Sequence, residues 1–316
     1  MHVNIPAIIG VARYELRREV KKRSFYFLVF LVILPVIMAG VIRVAGLSVS
    51  SDETLWAVAL GLKTQTAATG QLSLLELQGI ANWAWLVALF YGGDLFASDL
   101  REGAARLLLS RPVKRWEYIL GKLLSLTILM AAAFGAAGIT AVIAGWIVSG
   151  PQSHIALAPV LSAVLGVGIL PLALTAALIG MKTRSPTLGV VLGFVVYIVV
   201  SIGLSIGASI EAARETGIDL GELSTQGPSE DFIKFQAAIV EKTLKYYSYI
   251  PILAGFSLPS MLYWEAMGGV VEDPILTMVG LEIEAGGIAL AQALSLCLGI
   301  AAFTLAIIWL MYRIDL

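Results

Sequence analysis

Charge is scarce in this sequence. Only 14% of its 316 residues are Asp, Glu, Lys or Arg, 59% are hydrophobic, and mean hydropathy is +0.89. Soluble domains carry roughly 25% charged residues, so a water-facing globule of this size is excluded and a surface given mostly to lipid is implied. Cysteine is nearly absent. Cys297 stands alone in an apolar run, which excludes an intrachain disulfide and a cysteine-based metal centre. The two histidines, His2 and His154, are far apart and read as exposed loop residues. HExxH, GxSxG and Cys/His ligand patterns are missing, and no apolar run holds paired carboxylates. Intramembrane proteolysis and proton relay therefore lack their residues. There is no Walker A pattern, GxxxxGK[ST], either. Any nucleotide that drives this protein is bound by another polypeptide, and this chain is expected to bind no cofactor, no metal and no nucleic acid.

What is present is long apolar runs. A bilayer core needs about 20 apolar residues in a helix, and six runs qualify: 25–46, 78–97, 119–148, 156–181, 187–210 and 287–312. Helices are the expected form, because unpaired backbone groups are too costly in lipid and no alternating barrel pattern occurs. The first run is too long for the core of a cleavable leader. Fifteen of the 21 basic residues fall before the first span, in 98–118 with its flank, in 182–186 and in the tail. The positive-inside rule then places both termini in the cytoplasm of a multi-pass protein of the cell membrane. Trp83, Trp85 and Trp146 are expected near outer span ends, with Trp116 and Trp309 near inner ones. Small residues recur four apart at Ala133, Ala137, Ala141 and Gly145, at Gly189 and Gly193, and at Gly203 and Gly207. Such ridges let helices approach closely, within one bundle or between two. Pro159 and Pro171 mark bends in the fourth span.

Three pieces do not span. Residues 5–23 read as an amphipathic helix on the inner leaflet, where anionic lipid attracts basic residues. Ile5, Ile9, Ala12, Leu16 and Val20 mark its apolar face, and Arg13, Arg17 and Lys21 the neighbouring stripe. The outer loop 48–77 is poorly periodic. The outer segment 211–286 contains a helix from about Ser229, its expected cap, to Tyr247. Phe232, Phe235, Ile239, Val240 and Leu244 form the apolar face of that helix. An apolar stretch at 250–264, with Pro251 and Pro259, reads as re-entrant or interfacial and not as a seventh span.

The stretch 94–122, DLFASDLREGAARLLLSRPVKRWEYILGK, is densely charged between two spans. Asp99 reads as an N-cap, with Glu102 three positions on. Leu100, Ala104, Leu107 and Leu108 share one helical face, and Pro112 ends the short helix at Arg111. Asp94 reads as an interfacial residue beside this stretch.

This stretch resembles the loop between the second and third spans of ABC-2 type permeases, the transmembrane subunits of ABC exporters. The matching residues are Asp99, Glu102-Gly103, Leu108-Leu109, Ser110, Arg111-Pro112-Val113, Arg115 and Gly121-Lys122-Leu123. Ala104 departs from the pattern. The start, ARYELRRE, with Arg13, Glu15, Arg17 and Arg18, is similar to the elbow helix of that family. In layout the chain also resembles permeases of nitrous-oxide-reductase maturation and of Na+ or drug export.

The resemblance implies an all-α integral membrane protein with six transmembrane helices in a single domain over 1–316. It implies a cytoplasmic elbow helix (1–24), a cytoplasmic coupling helix (98–118) and a helical outer-face segment (211–286) before the last span. The partners it implies are a separate ATP-binding cassette ATPase holding ATP and Mg2+, a second permease copy or paralogue, and membrane lipid. An extracytoplasmic protein at 211–286 is a further candidate. The ATPase-coupling set is Asp99, Glu102, Gly103, Arg106, Leu107, Leu108, Arg111, Pro112 and Arg115. Within it, Glu102, Arg106, Arg111 and Arg115 are expected to contact the ATPase, while Leu107 and Leu108 hold the helix to the membrane domain. The expected activity is export of an amphiphilic or hydrophobic cargo, with no catalysis by this chain. The alternative is a mechanical transmitter that moves an outer-face partner without passing cargo.

Overall fold

A computed structural model describes residues 4–22, 25–26, 28–30, 33, 37, 79–103, 113–149, 156–218, 230–271 and 282–314. The described residues include nine helices. They are α1 Ile5–Glu19, α2 Gly79–Glu102, α3 Arg115–Ser149, α4 Leu157–Gly168, α5 Leu170–Thr183, α6 Pro186–Thr216, α7 Glu230–Tyr247, α8 Pro251–Met267 and α9 Ala285–Arg313. An isolated antiparallel bridge, Val270 with Glu284, closes the chain between α8 and α9.

Among the described residues, four helical stretches are long and apolar enough to cross a membrane. They are Arg115–Ala144, Leu157–Thr183, Pro186–Thr216 and Ala285–Arg313, and they coincide with the last four expected spans. The second expected span is covered by α2, which packs between α5 and α6. Of the first, 25–46, residues 25–26, 28–30, 33 and 37 are described, all of them helical, and the loop 48–77 lies outside the described residues. The fourth span is two helices, α4 and α5, meeting at Ile169, and Pro171 sits in the first turn of α5. The break is shallow, because Ile169 stays right-handed and its carbonyl accepts the Ala173 N–H at 3.1 Å. Proline removes a donor here without turning the helix aside.

The small-residue ridges pack mainly within the subunit. Ala137 and Ala141 are fully buried. A β-carbon on Gly189 would meet the Ala176 carbonyl, whereas Gly203 and Gly207 face open space. On the outer face of α6 an exposed apolar stripe runs through Leu188, Val191, Val195, Val199, Ile202 and Ile206, as a helix bathed in lipid requires. Trp146 and Trp309 are exposed, as interfacial residues are. Trp85 is not. It stacks inside the bundle on Phe194 and Tyr197, at 5.0 and 5.8 Å between ring centres.

The 250–264 stretch is a true helix, α8, and it is not a surface piece. Leu253, Ala254, Leu258, Met261 and Trp264 belong to the buried core. It runs antiparallel to α9, with Pro251 against Gly299 and Glu265 against Gly286. Gly299 lies midway along α9, about 21 Å from its start at 1.5 Å per residue. Gly255 touches Gly168, also at the middle of its span, and a β-carbon on either would fall on the other's backbone. Only glycine permits that approach. Part of the segment expected on the outer face is thus sunk to mid-depth, because α8 carries no charge before Glu265 in its last turn. Before it, α7 lays Phe235 on Ala212 and Ala213, with Ile239 beside them. Lys242 reaches Glu215 at 2.7 Å. The expected cap, Ser229, lies outside the described residues.

Candidate functional site

At the foot of the bundle α1 crosses α3. Asn4 caps α1 by accepting the Ala7 N–H at 3.4 Å, and Pro6 suits its first turn. The crossing is close because α3 offers Gly121, where a β-carbon would strike Val11 and the Ile8 carbonyl. The face of α1 that packs is not its most apolar one. It carries Ile8, Val11, Ala12 and Glu15, whereas Ile5, Ile9 and Val20 stay exposed.

The contact is a buried ion cluster joining three helices. Asp99, 1% exposed, stands at its centre. It is not the N-cap that its spacing to Glu102 suggested, because α2 runs unbroken from Gly79 to Glu102 and Asp99 lies in its last turns. One Asp99 oxygen accepts from Arg18 of α1 at 2.7 Å. The other accepts from the Tyr118 hydroxyl and from Lys122 Nζ at 2.5 Å. Lys122, 0% exposed, also donates to the Leu95 carbonyl. Its ammonium lies 5.4 Å from the ring centres of Phe96 and Tyr118 and 3.9 Å from Glu15. Glu15 in turn pairs with Arg18 at 3.2 Å. A second tie lies beside the first, where Lys22 bridges Glu19 at 2.7 Å and Asp94 at 2.6 Å.

Two carboxylates, Glu15 and Asp99, balance two cations, Arg18 and Lys122. Such pairing is the condition for burying charge at all. Burial pushes the Glu15 carboxyl above its ordinary value, against the pull of Lys122 and Arg18. Burial works to lower Arg18 and Lys22. Their acidic neighbours outweigh it, Asp99 first for Arg18 and Glu19 first for Lys22, and hold both cations above their usual values.

Apart from Arg115, the expected site residues separate into three groups. Asp99, Glu15 and Arg18 converge in the cluster. Glu102, Arg13 and Arg17 are exposed, and Gly103 ends α2 with φ of +74°, the left-handed turn that glycine tolerates. Beside it Arg101 and Glu102 lie over 60% exposed, 3.8 Å apart, a loose surface pair. Arg106, Leu107, Leu108, Arg111 and Pro112 lie outside the described residues, as does the short helix expected there.

Arg115, expected to contact the ATPase, is half-buried; it donates to the Met311 carbonyl at 2.9 Å and lies 5.8 Å from the Tyr312 ring. It thereby ties the start of α3 to the end of α9, because an unpaired carbonyl at a helix terminus attracts a cation. The start of α3 is capped by Glu117, which accepts the Lys114 N–H at 3.0 Å.

Sequence reasoning missed Tyr118, Lys22 and the structural role of Lys122. The available signal was a lysine placed inside an apolar run, which needs an acidic partner at the same depth. Among the described residues, no cluster of three His, Cys, Asp or Glu side chains could hold a metal ion. The arrangement is suited to carrying force between helices.

Residues 9–315 match the family model described as ABC-2 family transporter protein. No curated protein matches the chain.

Proposed function

Because this chain belongs to the ABC-2 family of transporter proteins, and so is a multi-pass membrane component of an ABC transporter, we propose that it is an exporter subunit driven from the foot of α2. In this reading a separate ATP-binding cassette subunit holds ATP and Mg2+ and docks on the exposed end of α2 at Arg101, Glu102 and Gly103, together with the segment 104–112. Two permease copies or paralogues pair across the membrane, with both termini cytoplasmic. The cargo is amphiphilic or hydrophobic, in keeping with spans that hold few ionisable groups.

One observation carries the proposal. The buried cluster of Glu15, Arg18, Asp99 and Lys122 ties α1, α2 and α3 together within a turn of the exposed helix end. A push on α2 therefore cannot be absorbed by local bending, because separating the helices would leave charges unpaired in a water-poor site. Leu95, whose carbonyl accepts a hydrogen bond from Lys122, and Phe96 continue that contact into the core. Arg115 extends the tie to α9. In this reading α7 and α8 form a re-entrant hairpin whose tip, near Tyr247–Pro251, senses the middle of the fourth and last spans.

The test is gentle solubilisation from native membrane, affinity capture of the full chain and mass spectrometry of what accompanies it. A soluble subunit bearing a Walker A motif is expected, and its yield should fall when Glu102→Ala and Arg106→Ala are combined. Capture of this chain alone would overturn the reading. Capture of an additional outer-face protein would move it toward the mechanical transmitter.

A further inference from the structure

A cavity of about 340 Å³ lies between α1, α3, α5 and α9. Ile8 of α1, Leu124 and Thr127 of α3, Leu170 and Leu174 of α5, and Ile300 of α9 form most of its wall. None of its lining residues is charged. Thr127 turns its hydroxyl back onto the Leu123 carbonyl at 2.9 Å, which satisfies its polar group within α3.

Three observations decide what fills it. First, Leu124 is both a wall residue and 39% exposed, and Ile128, one turn along α3, is 45% exposed. The cavity therefore opens sideways, onto a surface that in an embedded protein meets lipid and not water. Second, its depth matches half a bilayer. Leu170 opens α5 at the middle of the fourth span, and Ile300 sits midway along α9. At the other end Ile8 belongs to the helix that lies across the foot of the bundle. Third, seven of the nine lining residues are Leu or Ile, the others being Thr127 and Thr304, and a mainly aliphatic cavity stays dry but accepts apolar guests. On the same helix as Ile8, Arg13 and Arg17 are exposed, as a helix facing lipid headgroups requires.

We propose that this cavity binds one acyl chain of a phospholipid from the leaflet in which α1 lies, with the headgroup at the level of α1. The proposal rests on the reading above, that the chain is embedded with α1 at the membrane interface. The bound tail fills the gap between the elbow helix, α3 and α9. It completes the packing beside the ion cluster, which holds the other side of α1.

The test uses the full chain in nanodiscs of phosphatidylglycerol doped with a phosphatidylglycerol analogue that carries a diazirine midway along one tail. After irradiation, peptides are mapped by mass spectrometry. Leu170 and Leu174 are 4% and 1% exposed, so annular lipid reaches them only through the cavity. Adducts at Leu170–Leu174 are expected in the unaltered chain, with most of that signal lost in Thr127→Trp and, independently, in Leu174→Trp. Ile206, 55% exposed on α6, should be labelled throughout and reports that each variant is folded and embedded. Absence of adducts at Leu170–Leu174 while Ile206 is labelled would overturn the proposal, as would adducts on α5 that persist in both filled variants. A headgroup-free diazirine alkane that labels Leu174 better than the lipid analogue would also overturn it. Failure to label Ile206 would instead overturn the embedded reading beneath it.

Discussion

The foot of the bundle and its middle are held together by opposite means. At the foot, α1, α2 and α3 meet through short ion pairs around Asp99 and Lys122, both almost wholly buried. At mid-depth, α8 meets α4 and α9 through Gly255 on Gly168 and Pro251 on Gly299, with no charge involved. Ion pairs are directional and become costly when one partner leaves. Glycine contacts are close but smooth, and nothing in them resists a small slide except van der Waals packing. The foot is therefore built to move as one piece. The middle is built to let one helix shift against another.

The sharpest way to break this contrast is Asp99→Ala. It strands Arg18 and Lys122 in a buried site, and the expected loss is about 3–5 kcal/mol. Thermal or denaturant unfolding in detergent would read it, with early exposure of α1 to protease. A smaller effect is expected at mid-depth. Gly255→Ala puts a methyl group onto the Gly168 backbone, an overpacking of about 1–3 kcal/mol. The foot should stay intact in that variant, so α1 should keep its protection from hydrogen exchange.

Smaller still is the effect of Glu102→Ala on stability. Its side chain is 63% exposed with one loose neighbour, and a change within about 0.5 kcal/mol is expected. Its consequence should appear in partner capture instead.

The weakest lever is pH, acting through Lys22. Its folded value is raised above the ordinary 10.5, so the docked helix holds its proton more tightly than the free one. The stabilisation is fully present below 10.5 and is lost as pH climbs through the higher folded value. The protection factors of α1 amides, corrected for the base-catalysed rise in intrinsic exchange, should therefore be constant from neutral pH to about 9.5 and fall above about 11 more than in Lys22→Gln. An equal fall in both would remove Lys22 from the account.

Much of this architecture was legible in the sequence. Long apolar runs announced the last four spans within a few residues, because lipid tolerates no other backbone. The packing face of α1 was legible only in part, for a physical reason. Apolar periodicity finds the buried face of a helix in water. Of the apolar set, Ala12 and Leu16 pack on the bundle, whereas Ile5, Ile9 and Val20 remain exposed, and the charged Glu15 and Arg18 turn inward. Asp99 was misread for a related reason. An acid with Glu three positions on fits a helix start, and only the tertiary partners Arg18, Tyr118 and Lys122 show it to be a helix end. The tie of Arg115 within the chain was not legible because its acceptor, the Met311 carbonyl, is backbone and distant in sequence. Length led the reading of 250–264 as a non-spanning piece, but its burial depends on Gly168 and Gly299, which no local pattern links to Gly255 and Pro251.

The central claim is that the exposed end of α2 receives the ATPase and that the ion cluster holds it in place. Cys297, the one cysteine of the sequence, is exposed and is removed first. In a Cys297→Ser background, Glu102→Cys would be labelled with a photoactivatable benzophenone maleimide in native membrane, irradiated, and its adducts identified. The account predicts a covalent adduct with a Walker A-bearing subunit, and loss of that adduct when Asp99→Asn and Lys122→Gln are added in a chain that still folds. An adduct of undiminished yield in the neutralised cluster, or no ATPase adduct at this position when labels on Arg13→Cys find one, would contradict it.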